Sequence, residues 1–249
     1  MKLRTVFVLV TLFALGFVAT AQKTEPVKPA KLPTAKEVID QYVKALGGRE
    51  AIQKIKSRVM SGTVEFVPMN LKGTFEIYAA PEYRTYTKLS IGGIGDMIEG
   101  SDDKTSWAVN PIQGSRDRTG TELLQIRQSN NFYRDVKLEQ LFPKLEFKGI
   151  EKVGDREVYV ITAAAEDVPS ETWYFDTQTG LMLRSDMTAV TPEGKQQMTT
   201  FYEDMRPVDG VLIPFRIRIQ TTQFTIVMTS TEVKHNVKID DAKFAKPKQ

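Results

Sequence analysis

Ser101 and Lys104 stand at Ser-x-x-Lys spacing, in which a lysine amine one helical turn from a serine takes its proton for attack on an ester or amide. That chemistry needs both residues on one helix face. Here they fall within residues 99–111 (EGSDDKTSWAVNP), between two stretches that alternate as strands do, and no S-D-N or K-T-G companion occurs. Asp102-Asp103 and Asp240-Asp241 are neighbouring carboxylates, but neither pair has the alternating acids of a calcium loop. His235 is the single histidine, which excludes multi-histidine metal sites, and a serine triad using it as base would lack the G-x-S-x-G elbow. Gly93-Ile-Gly95 opens like a dinucleotide fingerprint, yet Ile98 occupies the third glycine position. Gly95 and Gly100 have phosphate-loop spacing, yet Ser101-Asp102 follow where Lys-Ser/Thr is required. With no cysteine in the chain, thiolate catalysis, disulfides and cysteine metal sites are ruled out together. The expectation is a protein that is not an enzyme and has no metal and no cofactor, with a Ser/Lys hydrolase ranked last.

The elements that would carry these residues follow from patterning. Residues 1–21 join a basic start (Lys2, Arg4), an apolar run too short to span a bilayer comfortably, and Ala19-Thr20-Ala21, the three parts of a secretory signal. Cleavage after Ala21 and an exported, soluble product are expected. Residues 22–33 (QKTEPVKPAKLP) read as an extended, flexible tether, and 34–249 as one domain. The 34 Lys and Arg nearly balance the 31 Asp and Glu, more closely still once Lys2 and Arg4 leave. Such a balance carries no electrostatic footprint for nucleic acid.

Thr34-Ala-Lys-Glu37 matches a capping box, and Val38, Ile39, Tyr42, Val43 and Leu46 recur at helical spacing before Gly47-Gly48. A shorter helix is expected over 49–55. From about Arg58 the period becomes two. Leu71, Phe75 and Ile77 alternate with Lys72, Thr74 and Glu76, and Val211, Ile213, Phe215, Ile217 and Ile219 with Arg216, Arg218 and Gln220. Further strands are expected at 82–91, 94–99, 104–109, 145–153, 156–165, 171–176, 181–189, 195–204 and 223–235. That makes about eleven, mostly joined by short connections as in a meander. Thr119-Gly-Thr-Glu122 is a second capping box, opening a helical insertion through about Phe142.

The fold class is therefore mainly β (α+β), with about eleven antiparallel strands and three or four helical segments to cover one apolar face. Twist accumulates in so long a sheet and curls it. A curled sheet crossed by helices can enclose an apolar cavity, or it can be packed solid; periodicity is equally consistent with both.

A family resemblance enters here. Gly73-Thr-Phe-Glu-Ile-Tyr-Ala-Ala-Pro81, Tyr83, Ser101-Asp-Asp-Lys-Thr105, Trp107 and Asn110-Pro111 run in the order seen in periplasmic lipoprotein carriers, and Asp241-Ala-Lys-Phe244-Ala-Lys-Pro247 resembles their closing segment. Thr172-Trp-Tyr-Phe-Asp176, Gly180-Leu-Met-Leu-Arg184, Phe201-Tyr-Glu203 and Val211-Leu-Ile-Pro-Phe215 resemble the wider LolA-like, outer-membrane lipoprotein-sorting group. Ala80 stands where the carrier has the arginine that ties its lid shut, and Arg84 where it has an aromatic cavity residue. The resemblance implies a curved antiparallel half-barrel with helices covering its concave face, located in the periplasm. It implies a carrier or sensor that is a monomer, binds a lipid or lipoprotein acyl chain, and meets inner- and outer-membrane partner proteins.

Alternation then nominates the lipid-binding residues: Phe75, Ile77, Trp107, Ile213, Phe215 and Ile217 on apolar strand faces, and Leu123, Leu124 and Ile126 on the lid. Ordinary core packing is the competing assignment for each. The alternative function is a non-catalytic structural or interaction module of the envelope with the same fold and a filled core.

Overall fold

Alternation of one dry and one wet face is realised as a single antiparallel sheet. In the computed structural model its thirteen strands are β1 (Arg58–Val67), β2 (Leu71–Ala80), β3 (Arg84–Ile91), β4 (Gly95–Ser101), β5 (Ser106–Asn110), β6 (Gly114–Asp117), β7 (Lys144–Val153), β8 (Arg156–Ala164), β9 (Glu171–Asp176), β10 (Met182–Thr191), β11 (Gly194–Val208), β12 (Val211–Gln220) and β13 (Thr225–His235). The structure describes residues 31–247 except Ile112. The expected signal peptide and residues 22–30 of the expected tether lie outside the described residues. Residues Pro33–Gln249 form one unit.

Strand order is β6-β5-β4-β3-β2-β1-β13-β12-β11-β10-β9-β8-β7. Every neighbouring pair is a sequence-adjacent hairpin except β1 with β13, which seals the two halves at the centre. The sheet is open and curved, a half-barrel. Two strands exceed the eleven read from alternation. β6 is Gly-Ser-Arg-Asp, with no apolar side chain to mark it. In β1 the inward row passes through Gly62, where a Cβ would lie 2.0 Å from the Thr229 carbonyl oxygen and 2.9 Å from the Phe75 ring, so the apolar period is interrupted.

Among the described residues, four α-helices accompany the sheet: α1 (Ala35–Ala45), α2 (Arg49–Lys54), α3 (Gly120–Ser129) and α4 (Leu138–Leu141). The first capping box forms as written: the Thr34 hydroxyl accepts from the Glu37 amide, and Glu37 accepts from the Thr34 amide at 2.7 Å. α1 thereby starts in phase to bury Val38, Ile39, Tyr42 and Val43. The second box does not form. Thr119 makes no side-chain cap, and the Glu122 carboxylate that would reach back to its amide is instead drawn into a two-pronged pair with Arg116 (both contacts 2.7 Å) and a third contact with Arg118 at 3.2 Å. A part-buried charge-assisted fork outcompetes one backbone amide.

Topology dictates where the insertion goes. β6 and β7 are opposite edges of the sheet, so the chain joining them, residues 118–143, must cross one face from edge to edge. It crosses the same face that α1 covers. One buried cluster joins Val38, Ile39, Tyr42 and Val43 of α1, Leu138 and Phe142 of the insertion, and Val64, Phe75, Ile161, Trp173, Phe175 and Ile213 of the sheet.

Candidate functional site

Residues directly opposite in antiparallel strands share a face, so register assigns each side chain. Phe75, Leu89 and Met97 form one row on the covered, concave face; Ile77, Thr87, Glu99 and Ala108 form the next. On the other half, Ser185, Thr200, Ile219, Ile226 and Phe66 continue one inward row, and Tyr202, Ile217, Met228 and Val64 another.

Beneath α1 this face is filled. Tyr42 packs on Phe175 with ring centroids 5.2 Å apart, and Trp173 meets Phe142 edge-on at 4.9 Å. Beneath residues 129–135 of the insertion it is not. A pocket of about 360 Å³ is bounded by β1–β3 on one wall and β9–β11 on the other, and residues 129–135 form its roof. Arg58, Ala79 and Thr85 line the first wall; Glu171, Ser185, Met187, Thr200 and Tyr202 the second; Asn130, Asn131, Phe132, Arg134 and Asp135 the roof. A second pocket of about 220 Å³ lies over β3–β6, lined by Leu89, Met97 and Ala108 and rimmed by Glu99, Arg116 and Arg118.

Polar bonds hold the roof in place. Arg134 reaches Glu171 at 2.5 Å, and Glu171 also accepts the Trp173 indole N–H at 2.7 Å. The Tyr42 hydroxyl donates to Asp135 at 2.8 Å, and Arg49 to the Val136 carbonyl at 2.6 Å. Burial pushes the Tyr42 and Tyr202 phenols up and pulls the Arg58 guanidinium down. Burial pulls hardest at Arg134, but the Glu171 charge and hydrogen bond together with Tyr202 and Asp135 outweigh it and hold that guanidinium above its ordinary value. α3 is tethered likewise: Glu122 on Arg116 and Arg118, Arg127 on the Lys104 carbonyl, Gln128 on the Leu141 carbonyl, and Gln125 on β10. Gln125 donates to the Thr188 carbonyl at 2.8 Å and accepts from the Val190 amide at 2.9 Å, occupying the part of β10 beyond its pairing with β9.

The residues nominated from sequence separate into three groups. Phe75 is buried and Ile77 and Ile217 half-buried on the concave face; Ile213 and Phe215 are buried in the core that α1 completes. On α3, Leu123 and Ile126 are half-buried, Leu124 is 42% exposed, and none joins a core cluster. Trp107 is a correction. It shares a row with Tyr78, Tyr86 and Gly100, on the face opposite Phe75 and Ile77. There it is fully buried under the closing 3-10 turn Asp241–Phe244, its indole N–H donating to the Phe244 carbonyl at 3.3 Å. Alternation cannot say which of two faces a closing segment will cover.

Ser101 faces the concave side, but its hydroxyl donates to the Tyr83 carbonyl and lies 3.1 Å from the Thr85 hydroxyl. Lys104 is exposed in the β4–β5 turn. In that turn burial pushes the Asp102 carboxyl up, but hydrogen bonds from the Thr105 and Lys104 amides and the Thr105 hydroxyl prevail and hold it low. Among the described residues, no three His, Asp or Glu side chains gather as a metal set.

Sequence reasoning missed Arg58, Gln125, Arg134, Asp135 and Glu171. Two of them carried a signal: Arg58 is in phase with Met60, and Glu171 with Trp173 and Phe175, charges written into otherwise apolar inward rows.

An open, curved antiparallel sheet with helices crossing its concave face is the LolA-like fold. No family model and no curated relative matches the sequence. Solved structures do match in fold. A DUF1329 family protein from Desulfovibrio piger aligns over 85% of this chain and 97% of its own, with TM-score 0.58 and 14% identity. A LolA superfamily protein from Nitrosomonas europaea aligns over 86% and 99%, with TM-score 0.56 and 13% identity. A domain assigned to outer membrane lipoprotein sorting from Vibrio parahaemolyticus aligns over 84% and 97%, with TM-score 0.54 and 7% identity.

Proposed function

We propose that the protein is an exported, non-catalytic carrier or sensor that holds a lipid or a lipoprotein acyl chain between the concave face of its sheet and the α3 cover. One observation carries this reading. α3 crosses an apolar face, yet its one buried residue is a glutamine, and polar tethers rather than apolar packing hold it there. On the sheet Leu89 and Met97 stay half-buried and line the 220 Å³ pocket, and on the helix Leu123 and Ile126 are half-buried outside the core. Apolar side chains on the cover that do not join the core, and an apolar pocket on the sheet, favour an apolar guest, whose chain gains ~0.8 kcal/mol per CH₂ removed from water.

The engaged Ser101 hydroxyl supports a binding role over hydrolysis. The signal-like N-terminus and the fold of the lipoprotein-sorting domain support an envelope location, with membrane proteins as the partners that load and unload the cargo. The filled core beneath α1 favours a second reading, an envelope interaction module with no guest. Native mass spectrometry of the protein purified from cell envelopes without detergent separates the two. A lipid adduct at one per chain is expected; a bare chain that also fails to take up dodecanol supports the module.

A further inference from the structure

We propose that the pocket roofed by residues 129–135 receives the acidic head group of an amphiphile, a carboxylate or a phosphate, on the guanidinium of Arg58. This rests on the lipid-binding reading and adds to it the chemistry of the head.

Arg58 opens β1 at an inward position and lines the pocket. Its Nε donates to Nε2 of His235 at 3.0 Å, which fixes the plane of the guanidinium. Its two terminal nitrogens make no hydrogen bond, and no carboxylate lies within 4 Å of them, among the described residues. The other ions of the pocket have partners, although the Arg134 Nε is buried without one. Glu171 holds Arg134 and the Trp173 indole, and Asp135 holds the Tyr42 hydroxyl. The guanidinium is half-buried, with the Phe132 ring centroid 5.9 Å from it and Asp135 in the same pocket, and, oriented by one edge, it offers its free fork to two oxygens of an incoming acid. The opposite wall supplies further hydroxyls, from Thr200, Tyr202 and Ser185.

The surroundings select an amphiphile over a free anion. Thr200 and Tyr202 stand directly opposite Ile219 and Ile217, and the next inward position after Arg58 is Met60, opposite Ile77. A head on Arg58 therefore has an apolar floor beginning one residue away for its chain.

The test is calorimetric titration of the lipid-free protein with dodecanoate, dodecyl phosphate, dodecanol and inorganic phosphate. One or both acids are expected to bind about tenfold or more tighter than dodecanol, the discrimination of a charge-assisted hydrogen-bonded pair. Arg58→Met should bring acid and alcohol to within about twofold while dodecanol affinity holds, and inorganic phosphate should not displace dodecyl phosphate. Should Arg58→Met fail to fold, the wild-type ratio decides together with His235→Gln, which keeps an acceptor at Arg58 and should retain the preference. Equal binding of acid and alcohol, a preference that survives in Arg58→Met, or inorganic phosphate binding as tightly as its dodecyl ester overturns the head-group site and leaves the carrier reading standing. Failure of every dodecyl compound to bind overturns both.

Discussion

Nε2 of His235 accepts the Arg58 Nε–H, which puts the histidine's own proton on Nδ1, 3.3 Å from a carboxylate oxygen of Asp209. The only histidine of the chain is thus a neutral orienting group for a half-buried cation.

Its consequence is a pH dependence of stability. Burial first, and then the Arg58 charge, hold the His235 pKa below its ordinary 6.5, while Asp209 pulls the other way. A lowered folded value means that the unfolded chain binds more protons, so this contribution is complete above about pH 6.5 and is lost as pH falls through the lowered folded pKa. Urea midpoints should drop between about pH 7.5 and 5.5, and His235→Gln, which accepts without titrating, should remove that part of the slope. A wild-type midpoint constant across the window would refute the neutral assignment.

Glu171→Gln should be among the most damaging single changes. It leaves Arg134 against Phe142 and Trp173 with no carboxylate in contact, Asp135 acting only at longer range. A loss of about 3–5 kcal/mol is expected from denaturant unfolding, and much of it should return in Glu171→Leu combined with Arg134→Met. A cost below about 1 kcal/mol would show that the pair is solvated in solution.

Gln125→Ala should loosen the cover without unfolding the sheet. Two backbone groups of β10, the Thr188 carbonyl and the Val190 amide, lose their partners, at about 1–3 kcal/mol. Hydrogen exchange at Val190 should accelerate while exchange in β1 and β13 stays slow; equal acceleration everywhere would make α3 part of the global core instead.

Gly100→Ala probes the outer face. A Cβ there would lie 2.5 Å from the Trp107 ring and 3.0 Å from the Thr85 carbonyl oxygen. Overpacking should cost about 1–3 kcal/mol or more and free the Asp241–Phe244 turn, reported by a red shift of tryptophan emission. An unshifted spectrum and wild-type stability would mean that Trp107 can repack.

Much of this molecule is legible in the chain. Thr34 and Glu37 set the start of α1, Val38, Ile39, Tyr42 and Val43 its buried face, and alternation located eleven of the thirteen strands with their short turns. These are local properties: a cap, a helical stripe and a period of two act over a few residues, and neighbours in sequence supply their partners. Glu122 shows where local rules stop, since its three-residue spacing from Thr119 wrote a capping box that Arg116 and Arg118 then dissolved.

The candidate site belongs to the other category. Period two divides a strand into two faces without naming the inner one, which is why Trp107 and Phe75 look alike in sequence and lie on opposite sides of the sheet. The pairing of β1 with β13, the crossing of residues 118–143 from edge to edge, and the meeting of Arg58 with His235, 177 positions away, are long-range events. Sequence by itself determined the strands, their one-sidedness and the absence of cysteine and multi-histidine chemistry. Only the tertiary structure decided which side is concave, how much of it α1 fills, and that an unpaired guanidinium remains in what is left, because burial and pairing depend on which distant segments close over each face.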